Sequence, residues 1–291
     1  MSVSTVKPVG YGQLLKQNSK FRILWAGQIV SLLGDWFNLI ASASLIAVLT
    51  ESGTAVGGLF VVRMLAPFLV SPIAGVVADR YNRKHILIVT DIIRGLTVLG
   101  FLFIRSPEWV WLIYVLTAIQ MAGQGFFFPA RNSILPDITT PQELGAANAL
   151  SSVTWSVMLA FGAALGGIFS GIWGVYPAFI LDGLTFFVSG FILSRMIYTP
   201  PPELEANDKT IRAGIQQYFD GLSYLRYHRD ILIISIQKMS NALFISGAFQ
   251  VVQVIIAETY FPIGEGGGIS LGIIYGVTGI GTGLGPIVAR Y

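Results

Sequence analysis

The first long apolar stretch, residues 21–49, carries polar side chains at regular intervals. These side chains are Gln28, Ser31, Asp35, Asn38 and Ser42, and their spacings of three and four residues place them on one face of a helix. Asp35 lies at the midpoint of the stretch, which is long enough to cross a bilayer, and a carboxylate there costs about 2.5–3.5 kcal/mol. We therefore expect Asp35 to bind and release a proton, beside a charged partner or a water-filled cavity. The alternative is a hydrogen-bonded seam that only packs helices together.

Two later apolar stretches carry similar polar and aromatic stripes. Their members are Gln120, Gln124 and Phe127 in one stretch, and Gln237, Asn241 and Phe244 in the other. Polar stripes of this kind are typical of helices that surround a polar cavity or that form a hydrogen-bonded seam. Trp36 and Trp155 would add aromatic walls to a cavity, and the alternative for each of them is contact with lipid or a neighbouring helix.

Arg63, Asp91, Arg94 and Asp182 are further charged residues inside apolar stretches. Asp91 and Arg94 are three residues apart on one helical face, so the spacing predicts an ion pair that serves structure. Arg63 and Asp182 enter the bilayer from the same side. The sequence leaves open whether they pair with each other.

Residues typical of enzymes and metal sites are missing from the sequence. The two histidines, His85 and His228, lie in surface loops without companions for metal binding, and the chain has no cysteine. No Walker loop is present, so ATP-driven chemistry has no support. We expect no catalytic residue, no metal, no cofactor and no enzymatic activity.

Composition places the chain in a membrane. Charged residues make up 11% of the chain and hydrophobic residues 54%, with a mean hydropathy of +0.70, whereas soluble domains are nearer 25% charged. The apolar stretches of spanning length lie at 21–49, 55–78, 85–104, 109–129, 148–171, 177–198, 230–257 and 269–289. The sequence therefore predicts an all-α polytopic membrane protein with the bilayer, and not a nucleic acid, as its surroundings.

The distribution of lysine and arginine predicts the orientation of the chain. These residues concentrate before the first stretch, in the loop after the second stretch and in the polar segment after the sixth, whereas the loops of the opposite side hold only Arg105. Positive loops stay in the cytoplasm. The first stretch is also too long for a cleaved signal peptide. We expect a multi-pass protein of the plasma (inner) membrane with a cytoplasmic N-terminus.

A polar, proline-containing segment divides the chain into two parts. We expect residues 1–198 to form a six-helix bundle, residues 199–229 a cytoplasmic linker, and residues 230–291 two helices of a second bundle. The sequence from Pro286 to Tyr291 repeats part of the pattern between Pro72 and Tyr81, which favours an internal repeat.

The loop after the second stretch contains a dense charged motif. Its residues Gly75, Asp79, Arg80, Arg83 and Lys84 match the pattern G-x-x-x-D-R-x-x-R-[RK]. The motif resembles the loop between the second and third helices of major facilitator superfamily transporters. The whole chain resembles the prokaryotic drug- and siderophore-exporter branch, which includes macrolide efflux proteins and the enterobactin exporter. The segments that carry this resemblance are 21–28, 34–37, 129–136, 144–150, 182–186 and 221–226.

This resemblance implies the major facilitator fold and secondary export of a small amphipathic molecule, drug-like or siderophore-like, by alternating access. It implies proton-coupled antiport through Asp35, and protons and the substrate as partners without an obligate protein partner. In the family, helices one, four and seven line the cavity. The implied cavity residues are Gln28, Ser31, Asn38, Gln120, Gln124, Phe127, Gln237 and Asn241.

The resemblance also implies that the charged loop gates access to the cavity. The implied gating residues are Gly75, Asp79, Arg80, Arg83, Lys84 and Arg131. Asp79 and Arg83 are four residues apart, and Arg131 ends the fourth stretch on the same side of the membrane. We expect Asp79, Arg83 and Arg131 to form a cytoplasmic latch.

Two departures from the family pattern leave alternatives open. Gln120 stands where proton-coupled antiporters have an arginine, and Ala163 stands where they have a proline. Both favour a facilitator or a lipid-handling carrier without proton coupling.

A third alternative is a non-transporting fragment, since the chain resembles a transporter truncated after its eighth helix. In that case we expect glycine-rich faces without partners in the last two spans and incomplete burial of the Asp35 face. We also expect the chain alone to transport nothing.

Overall fold

The computed structural model describes residues 9–201, 211–241, 247–264 and 267–288, and every regular element in these ranges is helical. The α-helices are α1 (Tyr11–Gln17), α2 (Ser19–Thr50), α3 (Gly53–Arg80), α4 (Arg83–Leu99), α5 (Val110–Ile138), α6 (Pro141–Val157), α7 (Ala163–Trp173), α8 (Val175–Ser194), α9 (Ile211–Tyr227), α10 (Arg229–Ser240), α11 (Gly247–Ile255) and α12 (Gly268–Val288). Helical turns Gly100–Phe103 and Pro107–Trp109 flank the loop between α4 and α5. Wider π-helical turns, Met158–Gly162 and Ile256–Tyr260, follow α6 and α11.

Within the described ranges, six helical segments are long and apolar enough to cross a membrane. They are Ser19–Thr50, Gly53–Arg80, Arg83–Phe103, Pro107–Ile138, Pro141–Trp173 and Val175–Ser194. The all-α polytopic fold predicted from the sequence is therefore confirmed. The seventh predicted span corresponds to α10 and α11, and the eighth to α12. Residues 242–246 and 289 lie outside the described ranges, so these two crossings stay predictions.

The fourth and fifth spans are longer than the sequence predicted. The fourth was expected to end at residue 129, but α5 continues through Pro129 and Pro136 to Ile138. The fifth was expected to begin at residue 148, but α6 begins at Pro141, where Thr140 and Glu143 form a capping box. Prolines are tolerated inside spans where neighbouring groups satisfy the freed carbonyls, so apolarity alone ended the fourth span too early. It began the fifth span too late, because the first turns of α6 are polar.

Short polar side chains fix where three of the spans begin. The side-chain oxygens of Asn18, Ser52 and Asn82 accept hydrogen bonds from backbone N–H groups in the first turns of α2, α3 and α4. At the opposite ends, Glu51 after α2 and Gly174 after α7 take positive φ values of 51° and 88°. These left-handed residues let the chain turn sharply back into the next helix.

The spans pack in pairs around two apolar clusters. Helix α2 packs against α8, α3 packs against α5, and α4 packs against both α5 and α8. One cluster is built around buried Phe37, Phe101 and Phe179, and the other around Phe21 and Ile134. Along α2, α4 and α5, buried polar side chains lie between the two clusters. The helix pairs therefore enclose a polar layer within an apolar bundle.

The expected absence of partners for the glycine-rich faces is wrong for α12. This helix packs closely against α7, and a Cβ on Gly272 would lie 2.8 Å from the carbonyl oxygen of Ala163 and 3.0 Å from the Cα of Gly167. Because Gly272 and Gly167 have no side chains, the backbones of α12 and α7 can approach each other closely. Helix α7 of the first bundle therefore covers the glycine-rich face of α12.

The expected incomplete burial of the Asp35 face is also wrong. Asp35 is 7% exposed, and Asn38 and Ser42 are inaccessible, because α2 packs along α8 and is joined by α5 and α7. The polar stripe from Ser31 to Ser42 is thus covered by helices of the same bundle, whereas Gln28 is half-buried.

Candidate proton and substrate site

The strongest polar contact inside the bundle joins α2 to α4. Arg94 Nη2 donates to both carboxylate oxygens of Asp35, at 2.7 Å and 2.8 Å. The guanidinium carbon of Arg94 also lies 4.2 Å from the ring centroid of Phe186, which is cation–π distance. Arg94 fits because α5 has a glycine at this point, and a Cβ on Gly123 would lie 2.8 Å from Arg94 Cγ. A charged residue at the centre of α2 therefore has a charged partner, one of the two surroundings expected from the sequence.

The pair predicted between Asp91 and Arg94 is present, but it is the weaker contact of Arg94. Arg94 Nη1 lies 3.8 Å from Asp91 Oδ1, which is ion-pair distance without a hydrogen bond. Neither carboxylate oxygen of Asp91 has a hydrogen-bond partner among the described residues, and the side chain is inaccessible. Arg94 therefore lies close to two carboxylates, with Asp35 at hydrogen-bond distance and Asp91 farther away.

Arg63 on α3 and Asp182 on α8 lie near the Asp35–Arg94 pair. No ion pair joins them in the described part of the chain. Asp182 Oδ2 instead accepts a long hydrogen bond of 3.4 Å from Gln120 Nε2, and Arg63 Nη1 is buried without a described partner. We call the group formed by Asp35, Arg63, Asp91, Arg94 and Asp182 the charge cluster. Sequence spacing brings only Asp91 and Arg94 together, because the other contacts depend on how separate helices face one another.

A small cleft opens beside the charge cluster. Its volume is about 20 Å³, enough for a single ordered water. The lining residues are Gln28, Ser31, Leu32, Asp35, Arg94, Gln124, Phe127, Phe128, Arg131 and Trp155. Helices α2, α4, α5 and α6 therefore meet where the stripes of the first and fourth stretches were predicted to face each other. In this conformation the cleft is closed to a drug-sized molecule.

Four of the residues implied to line the cavity lie elsewhere. Asn38 and Gln120 are inaccessible and lie outside the cleft. The side-chain oxygen Oδ1 of Asn38 accepts a hydrogen bond from the Ser42 hydroxyl, and Gln120 Nε2 donates to Asp182. Gln120 thereby joins α5 to α8, which fits the hydrogen-bonded seam of the alternative interpretation, whereas the hydrogen bond of Asn38 lies within α2. Gln237 on α10 and Asn241, just after its last residue, are exposed and do not line the cleft. Phe244 lies outside the described residues.

Arg131 closes one end of the cleft. Its Nη2 donates to Gln28 Oε1 at 2.9 Å and to the hydroxyl of Ser151 on α6. Nearby, the Trp25 indole donates to Thr154 at 2.8 Å. These bonds join α2, α5 and α6 across the cleft, so Arg131 belongs to the cleft and not to the charged loop.

The charged loop makes a different set of contacts from the expected latch. Arg83 Nη1 lies 2.5 Å from Asp137 Oδ2 at the end of α5, and it also donates to the carbonyl of Ser133. Asp79 is exposed, so the structure does not bring Asp79, Arg83 and Arg131 together. Of the other loop residues, Arg80 is buried, Lys84 Nζ donates to the Ser194 carbonyl at 2.7 Å, and Gly75 has open space where a side chain would be.

Asp137 is the residue at this end that sequence reasoning missed. Its Oδ2 also accepts from the phenol of Tyr198 at 2.6 Å, just beyond the end of α8. Burial, reinforced by this hydrogen bond, raises the pKa of Tyr198 above its ordinary value, so the phenol stays a donor. The only signal in the sequence is an acid and a base near the ends of successive spans, which is too common to identify the pair.

The polar layer, the closed cleft and the charged loop belong to a bundle of helices long and apolar enough to cross a membrane. Residues 24–291 match the Major Facilitator Superfamily, and the chain belongs to this family of multi-pass membrane transporters. The putative bacilysin exporter BacE of Bacillus subtilis is 29% identical over 249 residues, covering 86% of this chain and 59% of that protein.

Two further relatives agree with this assignment. The uncharacterized MFS-type transporter YfiS of Bacillus subtilis is 29% identical over 70% of this chain and 50% of its own length. Macrolide efflux protein A of Streptococcus pyogenes is 28% identical over 57% of this chain and 41% of its own length. The resemblance to the drug-exporter branch is therefore confirmed. The chain spans about half the length of these relatives.

Proposed function

We propose that this chain belongs to a secondary exporter of small amphipathic molecules that works by alternating access and proton antiport. The observation that carries the proposal is the buried Asp35–Arg94 pair beside a cleft lined by Gln28, Ser31 and Gln124. The names of two relatives, a bacilysin exporter and a macrolide efflux protein, support export of this class of molecule. Catalytic chemistry has no part in the proposal.

In this proposal Asp35 is the proton-coupling carboxylate. An ionised Asp35 holds Arg94 through charge-assisted hydrogen bonds and so ties α2 to α4. A proton on Asp35 cancels the charge that holds Arg94. The guanidinium then has Asp91, at 3.8 Å on its own helix, as its remaining anion. Protonation would thereby exchange a contact between helices for one within α4, which changes how the cleft can open.

The proposed architecture divides the chain into a first bundle at 1–198, a linker at 199–229 and part of a second bundle at 230–291. Gln237 and Asn241 would then face the cavity from the second bundle. The lysine and arginine distribution supports a cytoplasmic N-terminus in the plasma membrane. Because the chain has no cysteine, Ser106→Cys tests the orientation without background. An impermeant maleimide added to intact cells should label it, and a label reaching it only in lysed cells would reverse the orientation.

The direct test places Asp35→Asn in the whole transporter to which the chain is proposed to belong, and compares it with the unchanged transporter in proteoliposomes loaded with bacilysin or a macrolide. Asparagine keeps the shape of the side chain but neither ionises nor releases a proton. We expect it to abolish transport driven by a pH gradient, while exchange at equal pH survives. Asp79→Asn, at an exposed carboxylate of the charged loop, is the matched control and should retain gradient-driven transport. Uphill transport by Asp35→Asn at the unchanged rate would refute proton coupling through Asp35.

The alternative of a facilitator or lipid-handling carrier has one observation in its favour. Gln120, which replaces the arginine of proton-coupled antiporters, is buried and engaged by Asp182. The same vesicles separate the two proposals, because a facilitator equilibrates its substrate at a rate that an imposed pH gradient leaves unchanged.

A further inference from the structure

The carboxyl group of Asp182 has surroundings that differ sharply from those of Asp35. Asp182 is inaccessible, its Oδ1 has no hydrogen-bond partner among the described residues, and its Oδ2 accepts a single long bond from Gln120. Asp35, in contrast, has an arginine at 2.7 Å and 2.8 Å. An ionised carboxylate buried without a cation or short hydrogen bonds is strongly unfavourable.

Helix α2 packs closely against the Asp182 carboxyl group. A Cβ on Gly34 would overlap Asp182 Oδ1 and the hydroxyl of Thr185. The Thr185 hydroxyl is already used as a donor to the backbone carbonyl of Asp182, at 2.7 Å. Helix α2 therefore packs closely against Oδ1 at Gly34, one residue from Asp35, and among the described residues Oδ1 receives no hydrogen bond.

Counting the charges that face Asp182 gives an excess of acid. Asp35 of α2, Arg63 of α3 and Arg94 of α4 act on it, while α5 presents the neutral Gln120. Asp91, also on α4, is bound to the same Arg94. Three carboxyl groups thus share two guanidinium groups, and full ionisation would leave one negative charge uncompensated inside the bundle.

The hydrogen bonds of Gln120 point to the same missing proton. Gln120 Oε1, like Asp182 Oδ1, is a buried acceptor without a described donor. A proton on the Asp182 carboxyl would supply a donor to a group in which these two buried acceptors have none. The acid could then donate one hydrogen bond as well as accept the one from Gln120.

We infer that Asp182 is a proton-binding site, which holds one proton in this conformation while Asp35 stays ionised against Arg94. Asp35 and Asp91 then balance Arg63 and Arg94, and the charge cluster is neutral. This site differs from the coupling residue proposed above. Any role of its proton in export rests on the proposed function, whereas its presence does not.

Infrared spectroscopy of the full chain in lipid at neutral pH tests the inference, because ordinary carboxyl groups are ionised there. We expect the C=O stretching band of a protonated carboxylic acid in the unchanged protein. Asp182→Asn should remove the band. Gln120→Leu should shift it to higher frequency, because the hydrogen bond to Oδ2 is lost. The matched control is Thr117→Val, at a buried position one turn earlier on α5, which should leave the band in place.

Absence of the band from the unchanged protein would overturn the inference without any variant. A band that Gln120→Leu leaves in place would also overturn it, since the proton would then reside on a carboxyl group that Gln120 does not touch. If the leucine variant fails to fold, the shorter amide of Gln120→Asn makes the same test. Transport assays are not needed, so this inference and proton-coupled export can fail independently.

Discussion

Arg94 is the residue on which the polar layer depends. It contacts Asp35 at hydrogen-bond distance, Asp91 at 3.8 Å and the face of Phe186, and it is 1% exposed. Its aliphatic part lies in the space left by Gly123, so the position of the guanidinium is set by close packing as well as by charge. A buried ion pair of this kind adds little net stability, but removal of one partner leaves a buried charge unpaired at a cost of about 3–5 kcal/mol.

Gly123→Ala should therefore disturb the ion pair without changing any charge. The added methyl group would lie 2.8 Å from Arg94 Cγ. The Arg94 side chain cannot move away freely, because its guanidinium is held by the ion pair. We expect a loss of about 1–3 kcal/mol in the free energy of unfolding, typical of overpacking. Thermal unfolding of the purified protein, followed by circular dichroism, measures it. Gly145→Ala on α6 is the control, since its new methyl group meets nothing within 4 Å. Equal melting temperatures for both variants would contradict the packing argument.

At the scale of helices, periodicity predicts which face of each span is polar but not which faces meet. The stripe on α2 and the six spans were therefore predictable from sequence. The contact between Asp35 and Arg94 was not, because it depends on the rotation and axial position of α2 against α4. For the same reason Gln120 was assigned to the cavity, although the rotation of α5 turns it towards Asp182. Asp137 gave no periodic signal.

The contact between α7 and α12 gives a test at this scale. A Cβ on Gly276 would lie 3.4 Å from Cβ of Ala164, close to the 3.5–4.5 Å range of disulfides. In a chain without cysteine, the pair Ala164→Cys and Gly276→Cys should form an intramolecular disulfide, detected by mass spectrometry of unreduced peptides. The control pair Ala164→Cys and Gly281→Cys should not, because Gly281 is exposed and faces open space. Cross-linking of the control pair alone would show a different rotation of α12.

At the scale of the whole molecule, one end of the bundle is held by a compact polar network. Asp137 at the end of α5 accepts from Arg83 at the start of α4 and from Tyr198 after α8. Lys84 binds the Ser194 carbonyl beside it. Helix α5 also carries Phe127 and Arg131 in the cleft, so holding its end restrains one wall of the cleft. The network lies where the chain leaves the first bundle for the proposed linker.

Asp137→Asn should loosen this end and make the cleft more accessible. Asparagine removes the charge that binds Arg83, and a partly exposed pair of this kind contributes up to about 1 kcal/mol, which corresponds to roughly a fivefold change in population. The probe is Ser31→Cys in the cleft, labelled by an impermeant maleimide in inside-out vesicles. We expect labelling to be several-fold faster with Asp137→Asn than without it. Asp79→Asn should leave the rate unchanged, because Asp79 is exposed and Arg83 binds Asp137 instead. If labelling is faster with Asp79→Asn but not with Asp137→Asn, the gate lies in the charged loop, as the sequence motif predicts.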